Sequence, residues 1–459
     1  MLPDRIIEPD VDAYRADWWT LSLMQARAGQ SIEPPDLVVK PRDADEVAMC
    51  LRYARENGKT VIPRGGGSGV CGGAKASAGS MVMDLCRMNH IGQVDETSMT
   101  VEVGSGTTGP DLESALNESG LTLGHMPQSF HISTVGGWVS TKATGQFSTR
   151  YGGIEERILS LEAVLADGTF VAGKATPRSA AGPDWWRMLI GAEGTLGIVT
   201  SATLSAFAEP QHHRWLVRSF PDIGLGIEAC RLIMRSMLRP SVVRLYDQAD
   251  SALNFGPAGY ATDMPLMLVR FEGEPAMVEA EASIAQRICD ETSGALADPS
   301  LANHWWSHRF KAADSYQRIL SSNGPLGPFG VAETIEVSAT WHGLANLHAM
   351  VRDAISPHVD IVAAHVSHLY MSGANIYLTF LISGATSHNE AIDRYNDAWD
   401  SAMQACLSAG GSISHHHGIG VVRRRWMQEE LGSGLAALRR LKDSFDPEGL
   451  LNPGKLLPE

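Results

Sequence analysis

Between Asp43 and Gly58, the apolar residues Val47, Cys50, Leu51 and Ala54 recur on one face of a 3.6-residue period. They predict a helix over 43–57, opened by Asp43, with Glu46 three residues later as in a capping box, and closed by Gly58. The period then drops to two. Thr60–Pro63 predicts a short strand running straight into GGGSGVCGG, Met81–Leu85 a second strand, and the alternation of Met99, Val101 and Val103 a third. Pro110 opens a helix carrying Leu112, Ala115 and Leu116 on one face. Residues 124–153 are dense in glycine and predict loop. LEAVLADGTFV reads as a hairpin turning at Asp167-Gly168, and IGAEGTLGIVTSATL (190–204) as a glycine-broken turn feeding a strand. From about residue 207 the glycine motifs stop. Helical stretches such as PAMVEAEASIAQRICDET then mix with strands such as MPLMLVRFEG and ANIYLTFLI, as a second domain would. The tail returns to glycine and histidine in GGSISHHHGIG, followed by a basic helix and DPEGLLNPGKL.

Charge and composition narrow the partners. The 459 residues include 37 Lys+Arg and 52 Asp+Glu, a formal charge of −15. Such a balance argues against nucleic acid and against anionic membrane surfaces, both of which demand clustered cations. The apolar fraction of 44% and charged fraction of 19% are those of a globular protein. Six cysteines form no C-x-x-C pair, so reduced thiols and a cytoplasmic location are expected. The N-terminal residues carry acids and no apolar core, so no signal peptide is expected, and no apolar run is long enough for a membrane span. The 46 glycines exceed the usual share of about 7%. They cluster at 65–73, 136–153 and 191–197.

Gly67, Gly69 and Gly72 satisfy G-x-G-x-x-G after a predicted strand, and Asp84 lies near the distance of a ribose-binding acid. A Rossmann site requires a crossover helix next, and AKASAGS is too short and too small to be one. The loop is read instead as a nest of backbone N–H groups suited to a pyrophosphate.

The ordered segments VIPRGGGSGVCGG, GHMPQSFHISTVGGWVSTKATGQ, RYGGIEE and GAEGTLGIVTSATL resemble the FAD-binding domain of the vanillyl-alcohol oxidase superfamily, the PCMH type. The resemblance runs from about residue 36 to the end. GGSISHHHGIG and HVSHLYMSGANIYLTF narrow it to the alkyldihydroxyacetonephosphate synthases and their bacterial relatives. It implies an α+β fold: a PCMH-type FAD domain of two α/β subdomains over 1–206, a cap or substrate domain of antiparallel sheet plus helices over 207–410, and a segment 411–459 returning to the FAD domain.

The same resemblance implies site residues. The loop Pro63, Arg64, Gly65, Gly66, Gly67, Ser68, Gly69 and Val70 would cradle the FAD pyrophosphate. Pro127, Ser129, Thr134, Gly136 and Gly137 would run along the cofactor, with Glu193, Gly194 and Ile198 near its adenine end. Relatives with covalent flavin often carry a histidine where Ser68 stands here, so non-covalent FAD is expected, with Cys71 a packed thiol. Tyr377 matches a proton-accepting tyrosine, a role that requires neighbours to pull a phenol down from its usual value of about 10. His415, His416 and His417 are its implied neighbours; in extended chain 415 and 417 share one side and 416 faces the other. Arg244 in SVVRLYD and Arg318 in DSYQRIL match arginines whose forks suit phosphate or carboxylate.

The implied activity is chemistry at a C–H next to oxygen, through flavin N5, on a small anionic substrate in a homodimeric enzyme. The alternative is an FAD-dependent oxidase or dehydrogenase of a 2-hydroxy acid or other alcohol. Metal-dependent relatives of that kind carry H-x-G-D-x-N-x-H and E-H-G-I-G. Here Tyr370 and Tyr377 replace both histidines, Gly373 the aspartate and His416 the glutamate, so no catalytic metal is expected. His365 and His368 are expected to be structural or supporting. Retention of the tyrosine, the histidines and the arginines opposes a third reading, a flavin binder without catalysis.

Overall fold

Asp43 caps the helix Ala44–Glu56 as the pattern predicts, its Oδ1 accepting from the Glu46 N–H at 2.8 Å. The return half of the capping box does not form. The Glu46 carboxylate accepts instead from the Arg42 N–H at 2.9 Å and pairs with the guanidinium groups of Arg42 and Arg5. Two cations hold a mostly buried carboxylate more strongly than one further amide would. A computed structural model describes residues 2–259, 263–311 and 323–458. The chain forms two compact units, one of residues 1–145, 152–208 and 416–459, the other of residues 146–151 and 209–415.

The first unit holds two four-stranded sheets. In one, Ser80–Asp84 lies between Leu37–Val39 and Thr60–Arg64 and runs parallel to both. Residues 65–79 join the two strands of this last parallel pair without any helix, so the crossover is made by the glycine loop itself. The C-terminal segment lies along the outer edge of Thr60–Arg64: Val61 N–H donates to Leu450 O, and Asn452 N–H to Val61 O. The second sheet is antiparallel, in the order Thr100–Gly104, Ile198–Ser205, Ile158–Val164, Phe170–Ala172. Its last pair is the expected hairpin, closed by Leu165 N–H donating to Thr169 O. Val61, Met81, Val47, Leu51 and Ile198 share one apolar core, and Val103, Leu112, Trp138 and Leu161 another.

The second unit is built on a seven-stranded antiparallel sheet. Its order is Ala295–Leu296, His212–Ser219, Leu266–Gly273, Val242–Tyr246, Ile361–Ser367, Gly373–Ile382, Val331–Thr340. The helices Ile223–Arg235, Pro275–Glu291, Trp341–Ile355 and His388–Ser408 pack with this sheet. Along Gly373–Ile382, Ile376, Leu378, Phe380 and Ile382 are fully buried, and Phe380 meets Tyr395 of the last helix. Strand alternation then turns Asn375, Tyr377 and Thr379 to the opposite face. That face is polar across four strands, because Glu336, Tyr377, His365 and Tyr246 are successive cross-strand neighbours.

Candidate functional site

Two constructions carry the chemistry, one in each unit. In the first unit the segments 64–70 and 132–137 meet backbone to backbone. A Cβ on Gly66 would lie 1.8 Å from the Ile132 carbonyl oxygen, so no larger residue fits there. Gly67 has φ +67°, a left-handed residue within a run of peptide groups, which is the conformation that turns successive N–H groups to one side. Thr134 caps the helix Val135–Thr141, accepting from Gly137 N–H at 3.4 Å, while Gly136 N–H donates to Ser105 O. Pro127 and Ser129 shape the approach through their carbonyls, which accept from Phe130 N–H and from Ile132 and Ser133 N–H. The result is a partly exposed, glycine-lined backbone loop, and peptide N–H groups turned to one side fit a cofactor pyrophosphate.

Side chains behind the groove hold its shape. Arg64 donates to Ala16 O at 2.8 Å and stacks on Tyr14. Asp84 accepts from the Tyr14 hydroxyl at 2.8 Å and from Cys86 N–H, so the acid at ribose-binding distance is spent inside the unit. The Glu193 carboxylate accepts from Ile419 N–H at 2.6 Å and Gly420 N–H at 2.8 Å, tying the 190s turn to the C-terminal segment. Burial pushes this carboxyl up to about 7, against the pull of those two amides and of Arg423. Ile198 places its side chain in the apolar core. Gly194 packs on Pro63, and Ser68 lies at the partly exposed side of the loop. Sequence reading missed Asp17, buried and accepting from Trp19 and Ala74 N–H, and Arg423, which donates to Gly418 O at 2.7 Å and to the Cys71 thiol. Neither falls in a glycine motif, and a buried charge has no signature in a single sequence.

In the second unit, the polar sheet face brings Arg244 and Tyr377 together around His365. The His365 ring stacks on the Tyr377 ring, with centroids 5.0 Å apart and planes 20° apart. Its Nε2 lies 3.2 Å from Arg244 Nη1, its Nδ1 2.8 Å from Asp250 Oδ2. The Arg244 guanidinium sits over the Trp305 ring at 5.3 Å. Burial holds His365 below the ordinary imidazole range and, with Arg244 adding to it, outweighs the opposing pull of Asp250. Burial also pushes the Tyr377 phenol up to about 12, although Thr334 and Arg244 pull the other way. In the protein alone, then, the cations expected to lower Tyr377 are outweighed by desolvation.

His415 belongs to this unit, and the boundary between the units falls directly after it. The Tyr370 hydroxyl lies 2.8 Å from His415 Nε2, and His368 stacks on His415 at 5.3 Å. The buried Glu336 accepts from His415 N–H at 2.5 Å. Burial lowers His415 to about 4. His416 and His417 belong to the first unit, with ring centroids 4.4 Å apart. Arg318 lies outside the described residues. Asn375 and Ser367, cross-strand neighbours on the same face, are 0% and 2% exposed. Among the described residues, the amide oxygen and nitrogen of Asn375 and the hydroxyl of Ser367 meet no hydrogen-bond partner. Sequence reading passed over Asp250 and took His365 only as structural or supporting, since strand register and a helix packed on the sheet bring the two together.

A glycine-lined backbone loop in one unit and a polar antiparallel sheet in the other are the features of a flavoenzyme, and the α+β, PCMH-type architecture is the expected one. The chain belongs to the FAD-linked oxidase family: residues 35–173 match its FAD binding domain and residues 209–456 its C-terminal domain, described as that of FAD linked oxidases. It is 34% identical over 440 residues to "Uncharacterized FAD-linked oxidoreductase YgcU" of Escherichia coli K12, covering 92% of this chain and 89% of that protein. It is 29% identical over 472 residues to alkyldihydroxyacetonephosphate synthase of Dictyostelium discoideum, covering 95% and 75%. A solved structure of an alkyldihydroxyacetonephosphate synthase matches with a TM-score of 0.80 at 25% identity, over 99% of this chain and 84% of that one. Glycolate oxidase and D-lactate dehydrogenase are further relatives. No helix among the described residues is long and apolar enough to cross a membrane.

Proposed function

We propose that this protein is a metal-independent FAD enzyme that breaks a C–H bond next to an oxygen in a small anionic substrate, with net oxidation of a hydroxyl compound as its reaction. The observation that carries this reading is the grouping of Arg244, His365 and Tyr377 on one sheet face. Bound FAD supplies the acceptor for the hydrogen and its two electrons. Pro63–Val70, Thr134, Gly136 and Gly137 would hold it, and Ser68 in place of a histidine supports non-covalent attachment. Arg244 holds the substrate anion. The Tyr377 hydroxyl, protonated at neutral pH, donates to the reacting oxygen and keeps it oriented. His415 Nε2, neutral because burial lowers it to about 4, accepts from the Tyr370 hydroxyl at 2.8 Å, so the substrate's hydroxyl proton leaves by way of Tyr370, which passes its own proton to His415. Tyr377 takes that role only where bound groups bring its pKa down.

A second reading is redox-neutral exchange of the alkyldihydroxyacetonephosphate synthase kind. It is favoured by the structural match to that enzyme and by the tyrosines at positions 370 and 377. Anaerobic mixing of the FAD-loaded protein with candidate substrates separates the two. Bleaching of the flavin band by a 2-hydroxy acid or polyol phosphate, reversed by air or an added electron acceptor, is the expected result. Bleaching by an acyl-dihydroxyacetone phosphate, reversed by fatty alcohol without an oxidant, establishes the exchange instead. Protein that takes up no FAD sinks both. Tyr377→Phe should retain FAD and lose turnover by at least about a hundredfold, the lower range for losing one hydrogen-bond donor to the reacting oxygen; unchanged turnover removes Tyr377 from the reaction.

A further inference from the structure

Arg244 is a long side chain on a sheet face, and an unheld arginine gives up rotamer freedom when it binds an anion. It is not unheld. We propose that Asp250 and His365 are positioning residues that mount Arg244 in the orientation that receives the substrate anion. The inference rests on the reading of Arg244 as the anion anchor, and it gives a definite role to Asp250, which lies outside every motif quoted above, and to His365, which the sequence marks only as structural or supporting.

The geometry allows only one protonation pattern along the row. A guanidinium only donates, so at 3.2 Å from Arg244 Nη1 the His365 Nε2 must be the acceptor and carry no hydrogen. The ring hydrogen then sits on Nδ1, aimed at Asp250 Oδ2, 2.8 Å away. Asp250 therefore selects the tautomer, and the tautomer selects where Arg244 points. Asp250 cannot swing away. It is 2% exposed on the helix Gln248–Phe255, its Oδ1 accepts from Asn254 Nδ2 at 2.6 Å, and its N–H donates to Asp247 Oδ1 at 2.7 Å. The Trp305 ring fixes the other side of the guanidinium. The same imidazole lies flat on Tyr377, so one buried ring sets both the anion anchor and the phenol. Charge is balanced along the row, with a carboxylate, a neutral ring and a guanidinium.

The test uses the FAD-loaded protein with ¹⁵N-labelled histidine, and oxalate as the anion probe in calorimetric titration. The wild type should show His365 as one fixed tautomer, hydrogen on Nδ1, and Arg244→Ala should weaken oxalate binding at least tenfold. Asp250→Ala should mix the His365 tautomers and weaken oxalate at least tenfold with FAD content unchanged. Asp250→Asn keeps an acceptor oxygen and should lose less than threefold. His365→Gln, which can both donate and accept, should recover most of what His365→Ala loses. With a working substrate, Asp250→Ala should raise KM far more than it lowers kcat. A His365 signal in Asp250→Ala identical to the wild type, or Asp250→Asn as damaging as Asp250→Ala, overturns the proposal. If Asp250→Ala does not fold, the Asn and Gln variants decide it alone. If Arg244→Ala leaves oxalate binding intact while the tautomer responds to Asp250, Arg244 is not the anion anchor: the reading of the site fails, and the positioning role fails with it.

Discussion

Replacing Asn375 with leucine should make the flavin-free protein more stable and the enzyme worse. Asn375 is 0% exposed in a strand interior, and neither polar atom of its amide meets a partner among the described residues. A buried polar group left in that state costs roughly 1–3 kcal/mol. Leucine has the same branched shape with two methyls in place of the oxygen and the NH₂ group, so it removes that penalty. Its bulkier methyls return part of the gain through tighter packing, commonly under about 1.5 kcal/mol for near-isosteric swaps. The net expectation is a gain of about 1 kcal/mol, or an unfolding midpoint some 2–4 °C higher for a unit of this size. Asn375 shares its face with Tyr377 and sits across from Ser367, whose hydroxyl is in the same condition. Native chains rarely bury three such atoms in one place without something to satisfy them. Turnover should therefore fall while apo stability rises. Differential scanning of apo and FAD-loaded protein, with steady-state kinetics, is the assay. A loss of more than about 1 kcal/mol in the apo form would show that the amide is bonded within the folded chain, and the reasoning would fail.

Two further outcomes follow from the first unit. Gly66→Ala drives a methyl into the Ile132 carbonyl and should weaken FAD retention at least tenfold, whereas Gly69→Ala, whose Cβ would come no nearer than 3.4 Å to Asp17, should keep it; flavin-to-protein ratios after gel filtration decide the matter, and equal ratios count against the cradle. The Glu193 carboxyl, held at about 7 when folded against a reference value of 4.5, binds its proton more tightly in the folded state. Its contribution to stability is therefore fully present below about pH 4.5 and falls as pH rises toward 7, by roughly 3 kcal/mol in all. Glu193→Gln should flatten that part of the apo protein's stability profile, and a slope parallel to the wild type would show that another group titrates there.

What could be read in the residues and what could not divides along a physical line. The helix at 44–56, the hairpin at Asp167-Gly168 and the polar-apolar alternation of ANIYLTFLI are set by neighbours within a few positions, and they were legible. So was the absence of a Rossmann crossover, because a helix cannot form from AKASAGS; the parallel pairing of the flanking strands was not, since nothing local to a strand fixes its partner. Glu46 shows the same limit on a small scale. Its spacing from Asp43 fits a reciprocal box, but Arg5, 41 residues away, offers a better partner. The site follows suit. Arg244 and Tyr377 were reached through short motifs, whereas Asp250 and His365 are 115 positions apart and become one construction only when a helix packs on the sheet. The pKa directions are the least local of all. Tyr377 has cationic and hydroxyl neighbours of the kind that lower a phenol, and it is still pushed up, because the desolvation that decides the sign is a property of the whole packed face. That ordering implies where the substrate must act. A bound anion on Arg244 would cancel the charge now pulling on Tyr377 and would move the phenol further from ionising. If Tyr377 is the base during turnover, then something other than Arg244 has to lower it, and a pH–rate profile of Arg244→Gln whose acidic limb stays where the wild type's lies would show that.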